Sequence, residues 1–437
     1  MDLVYPRCAG IDIAKQSVMV CVRVAGPDGR ARTTVEEWAS SSSQILRLAE
    51  RLTAEEVTRV VMEATGDYWK PWFFLLSEAG LDVVLANPRQ VKQIPGRKTD
   101  VGDAVWLADL AAHDLVKGSF VPDRAARELK DLVRLRATLV KDRARHAQRL
   151  EKVLVASALT LSGTISDILG VSGRAMLEAL IEGEHDPEAL ARLAHRKVKA
   201  GQKELAEALT GRFTEHHACL ARSHLRVIDM LSEEITVVEG RVEAYFTPDG
   251  DPPGGVSADR EWRQTAHDKR ELLMTIPAVK TVTATAILSE LGLDWSMFPT
   301  AGHLASWAGV APGSNQSGGR SKPARARKGN TFLKGYLSGA ALAVTRAKGT
   351  FLQARYRRLR SNRGAPKALV AVARSVIEAA WLIMTTDQPY LDLGGDYYDR
   401  RKPANAIRTA INRLLQAGCV IDHTAKGIYL IAPPAPA

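Results

Sequence analysis

The 437-residue chain has few aromatic residues and only four cysteines, and one long stretch lacks acidic residues altogether. The cysteines form no Cys-x-x-Cys pair and have no histidine spacing typical of zinc sites, so we expect reduced thiols and no structural zinc. The amino terminus has no basic segment followed by an apolar stretch, and the apolar run 368–386 contains Arg374 and Glu378. We therefore expect no signal peptide, no membrane span and a cytoplasmic location.

The acid-free stretch lies between Asp294 and Glu378 and carries fifteen lysines and arginines. These residues account for the net charge of +11, since the rest of the chain is slightly acidic. A solvated protein face usually mixes both signs, whereas a large block of one sign repels itself unless a polyanion binds it. The block therefore predicts a nucleic-acid partner.

Alternation of apolar and turn residues predicts strands at 7–13, 17–25, 32–38, 59–64 and 82–86, with helices at 42–52 and 69–79. Longer helical patterns cover 125–159, 217–246, 271–291 and 331–374. The fold class is α/β plus α. We predict five parts: a mixed-sheet domain at 1–124, a long helical, coiled-coil arm at 125–246, a linker at 247–270, a mainly helical domain at 271–386 and a carboxy-terminal appendix at 387–437. A plain helical domain remains an alternative to the arm.

Four carboxylates stand at the ends of predicted elements. Asp12 and Glu63 close two strands, and Asp100 and Asp103 share one face at the start of a helix. Each alone is typical of a cap or turn residue. If the four converge at one end of a sheet, they need a cation, and oxygen ligands favour Mg²⁺ or Mn²⁺. Such ions can stabilise the attacking and leaving oxygens of a phosphodiester.

A second candidate site is the loop 311–320, in which Ser317 precedes two glycines that would let a backbone approach closely. A loop serine is usually structural or solvated, and its spacing alone favours that interpretation over a nucleophile. The segment 272–281 weakly resembles a helix-hairpin-helix turn, since Ala278 and Lys280 stand where that motif usually has glycine. A turn that only packs is an equal alternative.

The motifs G-I-D-I-A-K, E-A-T-G-D-Y-W, K-T-D-V-G-D-A, W-A-G-V-A-P, Q-S-G-G and K-G-N occur in this order over roughly residues 7 to 380. This series resembles the IS110 (IS-one-ten) type of insertion-sequence transposase, also called the DEDD transposases. The resemblance implies an RNase H-like (RuvC-like) domain with catalytic, metal-binding carboxylates at Asp12, Glu63, Asp100 and Asp103. It also implies a helical transposase domain in which Ser317 attacks DNA covalently. The G-S-N that precedes Q-S-G-G departs from the family pattern and leaves Ser314 as a rival nucleophile.

The expected function is therefore a transposase or recombinase with Mg²⁺ or Mn²⁺ as cofactor. Its expected partners are donor and target DNA, a structured non-coding guide RNA and further copies of the chain in a dimer or tetramer. Nucleic acid is expected to contact nine residues: Lys15, Lys98, Arg320, Lys322, Arg325, Arg327, Lys328, Asn330 and Lys334. Two alternatives stay open: a RuvC-like nuclease that hydrolyses branched DNA, and a DNA- or RNA-binding assembly protein with an inert RNase H fold.

Overall fold

The computed structural model describes residues 3–26, 30–64, 66–88, 91, 99–250, 252, 254–313, 316–321, 326, 328–417, 419–424 and 427–432. The chain divides into two compact units, Met1–Val121 and Pro122–Ala437.

The first unit is built on a mixed five-stranded sheet. Its elements are β1 (Arg7–Ile13), β2 (Ser17–Ala25), β3 (Ala31–Ala39), α1 (Ser42–Ala54), β4 (Arg59–Ala64), α2 (Trp69–Glu78), β5 (Val83–Leu85) and α3 (Asp100–Ala112). The strand order is β3-β2-β1-β4-β5. β1, β2 and β3 pair antiparallel, whereas β4 lies parallel to both β1 and β5. The predicted mixed sheet is confirmed, and it is compatible with an RNase H-like domain.

Helices cover both faces of this sheet, and the strand alternation decides which residues meet which helix. On one face Ile11 and Ile13 belong to a core that includes Trp72 of α2 and residues of α1. On the other face Cys8 and Val61 pack against apolar residues of α3. Both faces of the central strands are buried, which explains why they read as nearly continuous apolar runs.

The second unit is almost entirely helical. Its elements are α4 (Arg124–Ala156), α5 (Leu161–Thr164), α6 (Val171–Ile181), α7 (Pro187–Arg192), α8 (Gln202–Ala208), α9 (Glu215–Ala244), α10 (Arg260–Met274), α11 (Thr281–Leu291), α12 (Ala301–Trp307), β6 (Gln316–Ser317), β7 (Arg320–Ser321), α13 (Thr331–Val344), α14 (Phe351–Arg363), α15 (Ala365–Thr386), α16 (Tyr397–Arg401), α17 (Pro403–Gln416), β8 (Val420–Thr424) and β9 (Gly427–Ala432).

The two long helices α4 and α9 pack against each other in opposite directions. Arg136 near the start of α4 pairs with Glu239 near the end of α9 at 2.6 Å, and His146 further along α4 contacts His224 near the start of α9. At that second end, Leu150 of α4 joins a core with α6, α7, α8 and the first half of α9. The helical pair itself agrees with the apolar spacing of the sequence.

The long helix predicted at 271–291 is divided in the structure. α10 ends at Met274 and α11 starts at Thr281. Pro277 has no amide hydrogen for helix bonding, and Ala278 adopts a φ of 68°, in the left-handed region that glycine favours. At Ala278 the turn therefore adopts a conformation that glycine favours, although the turn has no glycine.

Two further segments differ from the sequence-based prediction. The helix predicted at 331–374 is three helices, because α13 ends at Val344 and α14 ends at Arg363, where Gly364 follows with a φ of 79°. The segment 247–270, predicted as a linker, includes the first turns of α10. There the Asp259 side chain caps the helix by accepting the amide of Trp262 at 2.8 Å.

α15 is the one helix in the described part of the chain that is long and apolar enough to cross a membrane. In this fold it is a core helix, because it packs against α10, α12, α13 and α14. Its buried residues include Val372, Val376 and Ile383. Arg374 and Glu378, one helical turn apart, pair with each other at 2.7 Å.

We predict that Gly10→Ala destabilises the first unit by at least about 2 kcal/mol, since overpacking a tight contact strains the backbone around it. A Cβ there would lie 2.3 Å from the carbonyl oxygen of Ala104 and from the amide nitrogen of Ala108. Urea unfolding followed by circular dichroism measures the loss. Gly335→Ala in α13 is the control, because its Cβ meets nothing within 4 Å. Equal midpoints for the two variants would show that α3 can move away from the strand.

Candidate functional site

Asp12 and Glu63 lie side by side on neighbouring strands. β1 and β4 run parallel, and their register pairs Asp12 with Glu63. Asp12 lies four residues after Cys8 on β1, and Glu63 lies two residues after Val61 on β4. Because residues two and four apart on a strand share a face, both carboxylates stand on the α3 face of the sheet. Both residues are half-buried. Adjacent strands are about 4.8 Å apart, which places two acidic side chains within reach of one ligand.

α3 crosses β1 at very short range and in the opposite direction. Cys8 Sγ lies 3.3 Å from the carbonyl oxygen of Ala108, and Gly10, two residues further along the strand, lies against Ala104. Two residues of a strand span about 6.6 Å and four residues of a helix about 6 Å, so each two residues along β1 correspond to four residues back along α3. Two residues beyond Gly10, Asp12 therefore lies level with the first turn of α3.

That first turn carries the other two acidic candidates. Asp100 is the first residue of α3 and is exposed, while Asp103 is half-buried. Thr99 starts the helix, because its Oγ1 accepts the amide of Gly102 at 3.1 Å. The positive end of the helix dipole stabilises carboxylates at this position. By this reckoning the first turn of α3, with Asp100 and Asp103, starts at the strand end that carries Asp12 and Glu63.

The donor set suits a hard divalent cation, since carboxylate oxygens from two paired strands stand next to an acidic helix start. Among the described residues, no group of three or more potential ligands is close enough to hold a metal. Lys15 is exposed and follows β1 at the same end as Asp12. Lys98, also predicted to bind nucleic acid, lies outside the described residues.

The backbone of Ser317 lies in a short hairpin. β6 and β7 pair antiparallel, with Ser317 opposite Arg320, and Gly318 and Gly319 form the two-residue turn. Their φ values are 55° and 74°, and a tight turn with two positive φ values strongly prefers glycine. A Cβ on either glycine would meet nothing within 4 Å. Within the described structure the two glycines therefore serve the turn conformation.

The base of this hairpin is closed by the residues of the W-A-G and K-G-N motifs. Pro312 forms a bridge with Ala326. A Cβ on Gly329 would lie 2.4 Å from the carbonyl oxygen of Trp307, so only glycine fits there. The amide of Asn330 donates to the same carbonyl oxygen at 3.1 Å.

Asn330, which the sequence predicted to bind nucleic acid, is engaged within the protein. Its Oδ1 accepts the amide of Leu333 at 3.0 Å and so caps α13, and its Nδ2 donates to Glu290 Oε2 at 2.6 Å. Sequence reasoning missed Glu290, which is fully buried in α11. The one available signal was a single acidic residue in an otherwise apolar helix.

Two cations of α4 balance the buried charge of Glu290. Arg134 donates to both carboxylate oxygens, at 2.7 and 3.0 Å, and Lys130 Nζ lies at 3.3 Å. Burial raises the pKa of Glu290, but the Arg134 hydrogen bond, the Lys130 charge and the Asn330 hydrogen bond outweigh burial and leave the pKa lowered. The stabilising contribution of this carboxylate is therefore present at neutral pH and is lost only as the pH falls through that lowered pKa.

The described basic candidates near the hairpin are accessible to a ligand. Arg320 and Lys328 are exposed, and Lys334 is half-buried in the first turn of α13. Lys322, Arg325, Arg327 and the rival nucleophile Ser314 lie outside the described residues.

Two family models match the chain. One, for the DEDD transposases of IS110, matches residues 9–157, and one described as "Transposase IS116/IS110/IS902 family" matches residues 270–357. The chain is 27% identical to an uncharacterized 43.6 kDa protein of insertion element IS110 from Streptomyces coelicolor, over 73% of this chain and 77% of that protein. It is 25% identical to the IS116 44.8 kDa protein of Streptomyces clavuligerus, over 79% and 87% of the two chains. An IS900 protein of Mycobacterium paratuberculosis is 25% identical over 70% and 80%.

We predict that Mg²⁺ or Mn²⁺ raises the thermal unfolding temperature of the full chain, and that Asp12→Asn removes most of this rise. A ligand that binds only the folded state stabilises it, by about 2.7 kcal/mol at one hundred times its dissociation constant. Calorimetry with and without the cation measures the rise. Glu78→Gln, an exposed carboxylate at the end of α2, is the control and should keep the full rise. An undiminished rise in Asp12→Asn would show that this carboxylate does not bind the metal.

Proposed function

Because this chain belongs to the IS116/IS110/IS902 family of transposases, we propose that it moves an insertion sequence by cutting and rejoining DNA through a covalent phosphoserine link at Ser317. The family membership supports DNA binding and insertion-sequence mobility. The observation that carries the proposed chemistry is the pairing of Asp12 with Glu63 on the face where α3 begins. That arrangement supports a phosphodiester as the substrate, since clustered carboxylates bind the cations that phosphoryl transfer uses.

In the proposed step, Ser317 Oγ attacks the phosphorus of the scissile phosphodiester. The Oγ–P bond forms as the bond from phosphorus to the 3′ oxygen breaks, the serine proton leaves to solvent and the 3′ oxygen gains a proton. The phosphoserine ester keeps the energy of the broken bond. A 3′ hydroxyl of a second DNA then attacks the same phosphorus and displaces the serine oxygen, which takes up a proton. This second attack joins the two DNAs.

Asp12, Glu63, Asp100 and Asp103 are the residues that would hold Mg²⁺ or Mn²⁺. When bound, the cation would supply electrostatic stabilisation of the charge that develops on the phosphate and leaving oxygens. The half-buried positions of Asp12 and Glu63 support this role, because partial burial strengthens the attraction between a carboxylate and a cation.

The acid-free basic stretch supports phosphate contacts around the serine hairpin. Arg320 stands opposite Ser317 in the hairpin, and Lys328 and Lys334 flank its base. We include a structured non-coding RNA as the guide and a homo-oligomer as the active assembly. The carboxylates and the serine lie in different units of the chain, so an assembly on DNA offers more than one way to combine them.

We predict that Ser317→Ala retains nucleic-acid binding but yields neither a covalent protein–DNA species nor recombined DNA, because it lacks the attacking oxygen. Denaturing gels of a reaction with the element's flanking DNA and its RNA measure both products. Ser338→Ala, an exposed serine of α13, is the matched control. If Ser314→Ala abolishes the adduct and Ser317→Ala does not, the nucleophile is Ser314. Cleavage without an adduct in the unaltered chain would establish a hydrolytic nuclease instead.

We predict that replacing Arg325, Arg327 and Lys328 together with alanine weakens nucleic-acid binding and flattens its salt dependence. Each lost phosphate contact should lower the slope of log affinity against log salt by about 0.9 on duplex DNA. Binding titrations at several salt concentrations measure the slope. The control replaces three exposed lysines outside the acid-free stretch: Lys197, Lys199 and Lys203. An equal slope in both triple variants would place the phosphate contacts elsewhere.

A further inference from the structure

The Glu290 network, defined as Glu290 with Lys130, Arg134 and Asn330, joins three separate segments of the second unit. Lys130 and Arg134 come from α4, Glu290 comes from α11, and Asn330 is the cap of α13. Glu290 has no exposed surface, while Arg134 is 45% exposed at the edge of the cluster. The carboxylate therefore depends on these partners for its solvation, since water does not reach it.

Asn330 can satisfy its two contacts in one orientation only. Its carbonyl oxygen must face the amide of Leu333, and its amide nitrogen must face Glu290, because the carboxylate accepts and does not donate. The Asn330 cap thus determines where α13 starts. Glu290, which is bound by Arg134 and Lys130, in turn holds that cap in place against α4. The ring of Phe332, two residues later, lies 5.3 Å from the Arg134 guanidinium and adds a second contact between α4 and this turn.

A series of contacts among the described residues leads from this network toward the serine hairpin. The Asn330 amide binds the Trp307 carbonyl oxygen, and Gly329 lies flush against the same backbone. Pro312 bridges Ala326 further out, and the paired strands β6 and β7 end at the turn after Ser317. The two chain segments at the base of the hairpin are therefore held together at Pro312 and Ala326.

We propose that Glu290 and Asn330 are positioning residues for the serine step, holding the base of the Ser317 hairpin in register with α4. This inference rests on the proposed function. A buried ion pair is weak evidence of stabilisation, because well-packed apolar residues often replace one without loss. Here the network instead holds the Asn330 cap in a single orientation. Such precision matters for a reacting serine, because a misplacement of about 1 Å can lower the reaction rate about 100-fold.

The test is a charge-conserving exchange of the two side chains. Asn330→Asp keeps an oxygen to cap α13 but removes the donor to Glu290 and sets two carboxylates against each other. Combining it with Glu290→Gln restores a donor and an acceptor and leaves the charge of the network unchanged. Asn412→Asp, an exposed residue of α17, controls for the added charge.

The rate of covalent adduct formation at saturating DNA should fall by about 100-fold in Asn330→Asp, with little change in the DNA concentration that gives half the maximal rate. The double variant should form the adduct at least about tenfold faster than Asn330→Asp, because it restores the hydrogen bond. A role confined to stability predicts an unchanged rate well below the unfolding temperature. A rate within about twofold of the unaltered chain would overturn the proposal, since a 1 Å displacement should cost far more.

Amide hydrogen exchange of residues 316–321 without nucleic acid provides a readout independent of the chemistry. Asn330→Asp should speed exchange there, the double variant should slow it again, and Asn412→Asp should leave it unchanged. Exchange that is equal in all variants overturns the positioning role even if no serine adduct ever forms. If Asn330→Asp fails to fold, Arg134→Lys replaces it, because that change keeps the charge but loses the two-pronged hydrogen bond.

Discussion

The close contact between Gly10 and α3 determines where the acidic residues of the first unit can meet. Because β1 and α3 touch backbone to backbone, the helix cannot slide along the strand without a clash. The antiparallel crossing then carries the start of α3 toward the end of β1, where Asp12 stands beside Glu63. One residue without a side chain thus sets the level along β1 at which α3 starts with Asp100 and Asp103.

The second unit uses a different physical device for its candidate nucleophile. The hairpin of Ser317 is short, and Gln316, Gly318, Gly319 and Arg320, four of its described residues, are exposed. Its geometry comes from the positive φ values of Gly318 and Gly319 at the tip and from hydrogen bonds at its base. A buried charge network beyond that base links it to α4. The hairpin therefore depends on residues that are distant in sequence and that themselves touch no substrate in the proposed step.

The strands and the positions of Asp12 and Glu63 were predictable from the sequence, because period-two alternation and turn residues define short strands locally. The Gly10 contact was not predictable in this way, since nothing local tells which element will approach a glycine. Glu290 was missed for a related reason: a lone acidic residue in an apolar helix gains its meaning from Arg134, 156 residues away. The break after Arg363 was also missed, although Gly364 followed by Pro366 is a helix-ending signal that the sequence offered.

The central claim is that carboxylates on one unit and a serine on the other act in the same phosphoryl transfer. The most direct measurement is mass spectrometry of the peptide that carries DNA after a reaction is stopped by denaturation, with and without Mg²⁺. The account predicts a nucleotide phosphate on Ser317 that forms with the cation and is lost when Asp12 is replaced by asparagine. DNA attached to another residue, or attached to Ser317 in equal amount without the cation and without Asp12, would contradict it.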